Sequence, residues 1–158
     1  MIFVTLGSQK FQFNRLLEEM DRLISNGFIR EEVFAQIGYS DYIPKYYEFK
    51  NFLNRDEFLK FMNKCDKVVT HGGTGAIIGA VKKKKKVVAI PRNKEFNEHV
   101  DNHQYDIVRE FSSMNLIYGL NDVCELKYAL INIENKKFNS YTSNSFEIIY
   151  DIKKFLDY

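Results

Sequence analysis

The sequence has little of what marks several protein classes. Its 158 residues contain no tryptophan, two prolines and two isolated cysteines, Cys65 and Cys124. The cysteines lack the spacing of a metal site, so we expect free thiols that pack as small core residues in a reducing compartment. No apolar run approaches the roughly 20 residues of a membrane span, and no basic segment before an apolar core marks a secretory signal. We therefore expect a cytoplasmic protein that does not cross a bilayer.

Charge and composition exclude further classes. The formal net charge of +2 gives no strong field for binding nucleic acid. The hydrophobic fraction of 45% and the charged fraction of 28% are those of an ordinary globular protein. The length suits one domain with a sizeable core, and no repeat or linker divides the chain. We expect a single domain over residues 1–158.

What the sequence does contain is a regular alternation of strand and helix patterns. Apolar, β-branched runs alternate with segments whose apolar residues recur at helical spacing. This alternation predicts an α/β fold, a Rossmann-like, doubly wound parallel sheet with helices on both faces. The predicted strands are residues 2–6, 33–37, 47–53, 67–71, 87–91 and 115–118. The predicted helices are residues 14–26, 54–62, 74–81, 98–111, 122–133 and about 145–157.

The central stretch of the chain is Lys67–Gly75, a buried strand followed by a glycine turn and a helix start. Its three glycines let the backbone approach a ligand, and Thr74 is a candidate helix cap. A helix N-terminus offers unpaired amides that suit phosphate, and His71 adds a donor beside them. The same turn also occurs in α/β proteins that bind no phosphate. Ligands of such sheets bind beyond the carboxyl ends of the strands, so the turns at Gly7, His71 and Pro91 should face one crevice.

The third of these turns, residues 91–104, is dense in polar side chains. A helix that begins near Glu98 would place Asp101 and Gln104 on nearly one face, where they suit the vicinal hydroxyls of a sugar. An acidic, capped helix start is the plainer interpretation of the same residues. His99 and His103 are spaced to ligate a metal, but no third ligand is evident, so we expect no metal site.

Four segments together resemble a known family. They are Val4–Ser8, His71–Gly75, Val88–Arg92 and Glu98–Gln104. In this order they resemble the C-terminal domain of GT-B glycosyltransferases, of the family 28 C-terminal-domain type. The small single-domain branch is most similar. It includes bacterial subunits that build capsule or exopolysaccharide and the soluble subunit of the two-part eukaryotic N-acetylglucosaminyltransferase that acts on dolichol-linked sugar.

The resemblance implies a site for a UDP-sugar donor. The first turn and the glycine turn would hold the diphosphate, the loop after the third strand would lie against uracil, and the third turn would contact the sugar. The implied residues are Gly7, Ser8, His71, Gly72, Gly73, Thr74 and Gly75; Phe52 and Leu53; and Arg92, Glu98, Asp101, Asn102 and Gln104. No general base can be assigned. His99 and Glu98 are weak candidates, and a partner chain is another source.

The resemblance also implies a partner, because a GT-B enzyme has two Rossmann-like domains and this chain has room for one. We expect a membrane-anchored subunit that binds the acceptor, a polyprenyl-diphosphate-linked saccharide, in a transfer that needs no metal or other cofactor. The chain would then lie at the inner face of the cell membrane. The terminal helix would dock on that partner or pack on its own sheet.

Two departures from the family pattern leave alternatives open. Gly79 stands where many relatives carry an acidic residue that binds ribose, which favours a non-catalytic subunit that enhances a partner transferase. The five lysines Lys82–Lys86 replace a short glycine turn. A solvated helix end explains them best, and contact with anionic lipid headgroups is the functional alternative. Flavodoxin-like and receiver-like domains fit less well, since the first strand lacks both a phosphate loop and clustered aspartates.

Overall fold

The chain folds around one parallel sheet, as seen in a computed structural model that describes residues 1–142. Six strands form it: β1 (Ile2–Thr5), β2 (Val33–Gln36), β3 (Glu48–Lys50), β4 (Lys67–His71), β5 (Lys86–Ile90) and β6 (Tyr118–Gly119). Five helices connect or follow them: α1 (Asn14–Ser25), α2 (Arg55–Lys64), α3 (Thr74–Lys82), α4 (His103–Ser113) and α5 (Leu126–Asn132). The predicted helix at 145–157 lies outside the described residues.

The strand order is β3-β2-β1-β4-β5-β6, with every pair parallel. The order reverses between β1 and β4, which is the topological switch point of a doubly wound sheet. Thr5 pairs with Thr70, and Thr70 pairs with Ala89, so the central strands end level with one another. The loops that follow them therefore meet at one edge. The predicted fold class is confirmed.

Alternate residues of the central strands bury against opposite helical layers. Val4, Val69 and Val88 face the layer that contains α1 and α5. Phe3, Val68 and Val87 face the layer that contains α2, α3 and α4. All six side chains are fully buried, which explains why these strands show near-continuous apolar runs.

Several boundaries differ from the sequence expectations. The edge strand β3 is three residues long instead of seven, and β6 begins at Tyr118. Helix α4 begins at His103 rather than near Glu98, because a 3-10 turn over Lys94–Phe96 and a left-handed Asn97 (φ 55°) come first. Asn54 caps α2 as predicted, in a capping box with Glu57. Cys65 is buried, but Cys124 is exposed, so the expectation of two core thiols is wrong for the second.

The lysine run is largely engaged by the fold itself. Lys83 Nζ donates to Asn63 Oδ1, and Lys85 Nζ donates to the carbonyl oxygens of Asn63 and Cys65 at 3.1 and 2.7 Å. Lys86 Nζ contacts Glu134. The run lies where β5 begins, at the amino-terminal ends of the strands, opposite the switch-point crevice. Within residues 1–142, no helix is long and apolar enough to cross a bilayer.

Candidate functional site

His71 lies at the switch point, held between two glycines. A Cβ atom added at Gly7, where φ is +74°, would lie 2.7 Å from His71 Cε1, and one added at Gly73 would collide with His71 Nε2. The imidazole is 7% exposed, and burial together with the charge of Arg92 lowers its pKa to about 4. His71 is therefore neutral at pH 7 with a single N–H, and its Nδ1 lies 3.4 Å from Thr70 Oγ1. The structure brings the predicted diphosphate turns together.

The N-terminus of α3 opens beside this histidine. Its N-cap is Gly73, and no side chain of the described residues caps it. Thr74 is the first helical residue, so the expectation that Thr74 caps the helix is wrong. Thr74 and Gly75 are exposed, and their amides lack the carbonyl partners that later turns have. Ser8, on the facing loop, is exposed as well. The uncapped amides are suited to an anion.

Gln104 connects two of the turns instead of facing solvent. Its Oε1 accepts hydrogen bonds from the backbone N–H groups of Gly72 and Arg92, both at 3.1 Å. Gln104 is 2% exposed, and a Cβ atom added at Gly72 would lie 2.9 Å from the Cβ of Gln104. Because α4 begins at His103, Asp101 precedes the helix and is exposed, so the predicted shared face of Asp101 and Gln104 is wrong.

Glu98 takes part in a buried ion pair. Arg15 Nε and Nη2 donate to its two oxygens at 2.7 and 3.1 Å, and the N–H of Asn93 donates to Oε2 at 2.8 Å. Arg15 also reaches Asp122 Oδ2 at 3.0 Å. Glu98 is 1% exposed, so it supports the third turn, and the geometry gives no support to its predicted roles as sugar contact or base. Sequence reasoning missed Arg15, whose partners lie far along the chain.

Arg92 is a cation buried beside His71. Its Nη2 donates to the carbonyl oxygens of Leu6 and Phe11 at 2.7 and 3.3 Å, which fastens the loop after β1. Its Nε and Nη1 find no hydrogen-bond partner among residues 1–142. Burial lowers the pKa of Arg92 to about 10, so the guanidinium stays charged at pH 7. A buried, partly unpaired cation here makes the crevice favourable for a negative ligand.

Two exposed aromatic rings border the crevice beyond β2 and β3. Phe52 and Tyr39 are 45% and 48% exposed, and their ring centroids lie 5.1 Å apart in an edge-to-face arrangement. Leu53 is half-buried, with its N–H on Gln36 Oε1. Gln36 Nε2 in turn donates to the carbonyl of Gly7, which ties this loop to the first turn. Sequence reasoning named Phe52 and Leu53 and missed Tyr39.

The remaining residues of the third turn form a group beside the start of α4 that is exposed except for His99. Asn102 Oδ1 accepts the N–H of Lys94 at 2.9 Å. Asp101 lies against His99 and His103, and their ligand atoms all lie within 4.8 Å of one another. The expectation that the histidines lack a third ligand is therefore wrong. His99 is itself buried, with Nε2 3.2 Å from Gln9 Oε1.

A Rossmann-like sheet with a glycine turn and an uncapped helix N-terminus at its switch point is typical of a nucleotide-binding domain. The model of the glycosyltransferase family 28 C-terminal domain matches residues 1–155, and the chain belongs to this family. No curated protein matches the sequence significantly.

Solved structures agree on the fold. The glycotransferase of kitacinnamycin superimposes with a TM-score of 0.63 at 17% identity, over 85% of this chain and 35% of that one. The glycosyltransferase SnogD from Streptomyces nogalater superimposes with a TM-score of 0.52 at 17% identity, over 84% of this chain and 37% of that one. The fold is that of the C-terminal half of a GT-B glycosyltransferase. The chain spans little more than a third of either structure.

Two glycine substitutions should have opposite effects on stability. Gly7→Ala places a side chain at positive φ and against His71, so we expect a loss of about 1–3 kcal/mol in the free energy of unfolding. Gly79→Ala is the matched control, because its Cβ would meet no atom within 4 Å among the described residues. It should gain about 1 kcal/mol from helix propensity. Urea denaturation measures both, and equal effects would contradict the described packing of His71.

His71 should make the fold sensitive to mild acid. Between pH 6.5 and 4 the unfolded chain protonates this imidazole and the folded chain does not, so stability falls as pH falls through that window. The loss is on the order of 3 kcal/mol. His71→Asn should flatten the profile relative to wild type in thermal denaturation at pH 7, 5.5 and 4.5. Parallel profiles would show that the histidine is accessible to protons.

Glu98→Gln tests whether Glu98 supports the third turn or takes part in catalysis. Loss of the carboxylate leaves the Arg15 guanidinium without its buried partner, and we expect a destabilisation of roughly 3 kcal/mol. The control is Glu95→Gln, at an exposed residue of the same turn, which should change stability little. Chemical denaturation of the two variants provides the comparison. If Glu98→Gln keeps full stability and abolishes sugar transfer, Glu98 is catalytic.

Proposed function

We propose that this chain is the donor-binding half of a glycosyltransferase that uses a UDP-sugar. The observation that carries the proposal is the uncapped N-terminus of α3, which opens beside His71 at the switch point. A helix N-terminus with free amides binds phosphate through hydrogen bonds and the helix dipole. Family membership supplies the class of ligand.

The diphosphate would lie across the turns that follow β1 and β4. Amides of Gly73, Thr74 and Gly75 would donate to its oxygens beside the neutral imidazole of His71, and the loop at Ser8 would close the other side. These donors are fixed before the ligand binds. As the sugar leaves, charge grows on the diphosphate, and fixed donors stabilise that charge without reorganisation.

The uracil and the sugar of the donor would lie on opposite sides of the diphosphate. The exposed rings of Phe52 and Tyr39 provide an apolar surface on which uracil can stack. On the other side, exposed Asp101 and Asn102 are the polar groups of the third turn that sugar hydroxyls can reach. Glu98, Gln104 and Arg92 would hold that turn and the first turn in place.

The full reaction would require a second chain. We infer hexosyl transfer to a polyprenyl-diphosphate-linked saccharide in capsule or exopolysaccharide synthesis, with a membrane-anchored partner that binds the acceptor. The partner is also the natural source of the general base, since Glu98 is occupied by Arg15. The scheme assigns no catalytic step to a metal. Peripheral contact through Lys82–Lys86 stays a prediction.

A non-catalytic role is the second candidate. Gly79 offers no carboxylate for ribose, and its surroundings are open within the described part of the chain. The chain would then enhance a partner transferase and bind donor weakly or not at all. Titration of the chain with UDP, alone and with its partner, distinguishes the two roles.

Thr74→Pro tests the amide donors directly. The variant removes one N–H at the first helical position, where proline is well tolerated, and Gly73 already has the extended backbone (φ −82°, ψ 124°) that a residue before proline prefers. We expect UDP affinity to fall about tenfold, because a hydrogen bond to a charged group contributes roughly 1.5 kcal/mol. Calorimetric titration with UDP measures the change.

Thr74→Ala is the matched control, since it removes the hydroxyl and keeps the N–H. It should bind UDP nearly as well as wild type. Equal losses in both variants would remove the amide from the proposal. Absence of UDP binding by the wild-type chain, both alone and with its co-expressed partner, would overturn the donor site itself.

A further inference from the structure

Three side chains with metal-ligating chemistry converge between the 3-10 turn and α4. His99, Asp101 and His103 alternate along one segment and turn to the same side, so that one ligand atom from each lies within 4.8 Å of the others. The two imidazole rings are 4.8 Å apart in an edge-to-face arrangement. We call these three residues the His-Asp-His group.

The contacts of His99 match the tautomer with its proton on Nε2. Gln9 Oε1, which can only accept, lies 3.2 Å from His99 Nε2, which matches a proton on Nε2. The N–H of Asp101 points to His99 Nδ1 at 3.4 Å, which is consistent with a lone pair on that atom. Nδ1 also lies 3.2 Å from Asp101 Oδ1. Two acceptor atoms thus face each other, and a cation between them would satisfy both.

His103 directs its Nδ1 to the same carboxylate oxygen. Two imidazoles and one carboxylate are the donor set that divalent transition metals such as Zn²⁺ and Co²⁺ prefer. The bond from His99 to Gln9 has the form of the second-shell contact that orients a metal-bound histidine. The side chains of Asp101 and His103 are 55% and 49% exposed, so an ion can enter from solvent and keep open positions.

We propose that the His-Asp-His group binds one divalent transition-metal ion. This site includes Asp101, one of the two predicted sugar contacts, and its open positions suit oxygen ligands such as hydroxyls. The proposal departs from the sequence expectation of a metal-free protein. It does not depend on the donor proposal, since the metal alone is the probe.

Two titrations of the tag-free chain test the site. Visible absorption monitors the binding of Co²⁺, and calorimetry measures the binding of Zn²⁺. Cys124→Ser serves as the background, because its exposed thiol is another ligand for these metals. We expect one ion per chain and nitrogen and oxygen ligation in the Co²⁺ spectrum. Asp101→Asn and His103→Gln should each weaken binding at least about tenfold.

Asp106→Asn is the control, an exposed carboxylate on α4 that pairs with Arg109. It should leave metal binding unchanged. Equal affinity in all three variants would place the ion elsewhere, and no stoichiometric binding would show that the group is a hydrogen-bonded ion pair; either result overturns the proposal. UDP titration of the metal-free chain reports on the donor site separately.

Discussion

One side-chain oxygen holds the candidate site together. Gln104 Oε1 accepts the N–H groups of Gly72 and Arg92, and so joins the turn after β4 to the end of β5. Both donors are buried backbone groups that would otherwise be unsatisfied, at a cost of about 1–3 kcal/mol each. The contact also requires a glycine at position 72, because a Cβ there would overlap Gln104. The shape of the crevice follows from this pair of hydrogen bonds.

Buried charged side chains hold the rest of the site in place. The Arg15–Glu98 pair supports the third turn, and the Arg92 guanidinium fastens the first turn through Leu6 and Phe11. The same Arg92 charge helps to keep His71 neutral. The crevice thus has a buried positive charge behind a neutral imidazole and a set of free amides. An anion that binds there gains electrostatic stabilisation without displacing a protein carboxylate.

Local pattern sufficed to predict the sheet and the glycine turn, and long-range contacts explain the rest. The strand before His71 and the turn after it depend on β-branched and glycine residues that are adjacent in sequence. The third turn, which precedes α4, is supported by Glu98, whose partner Arg15 lies 83 residues away. Arg15 sits in an amphipathic helix, where an arginine is usually solvated. Gln104, which sequence pattern placed on a sugar, is buried because its Oε1 accepts the N–H groups of Gly72 and Arg92, which are distant in sequence.

The two ends of the parallel strands carry different chemistry. The switch-point crevice lies at the carboxyl ends of the strands. The amino-terminal ends of the strands carry the lysine run and a cavity of about 190 Å³. Apolar and charged residues line this cavity, among them Ile2, Lys67 and Glu134. Contact with a surface through the lysine run would leave the crevice facing away from it. An acceptor-binding partner would then have to extend around the sheet, whereas lysines that only hold the fold together, through Asn63, Cys65 and Glu134, require no such partner geometry.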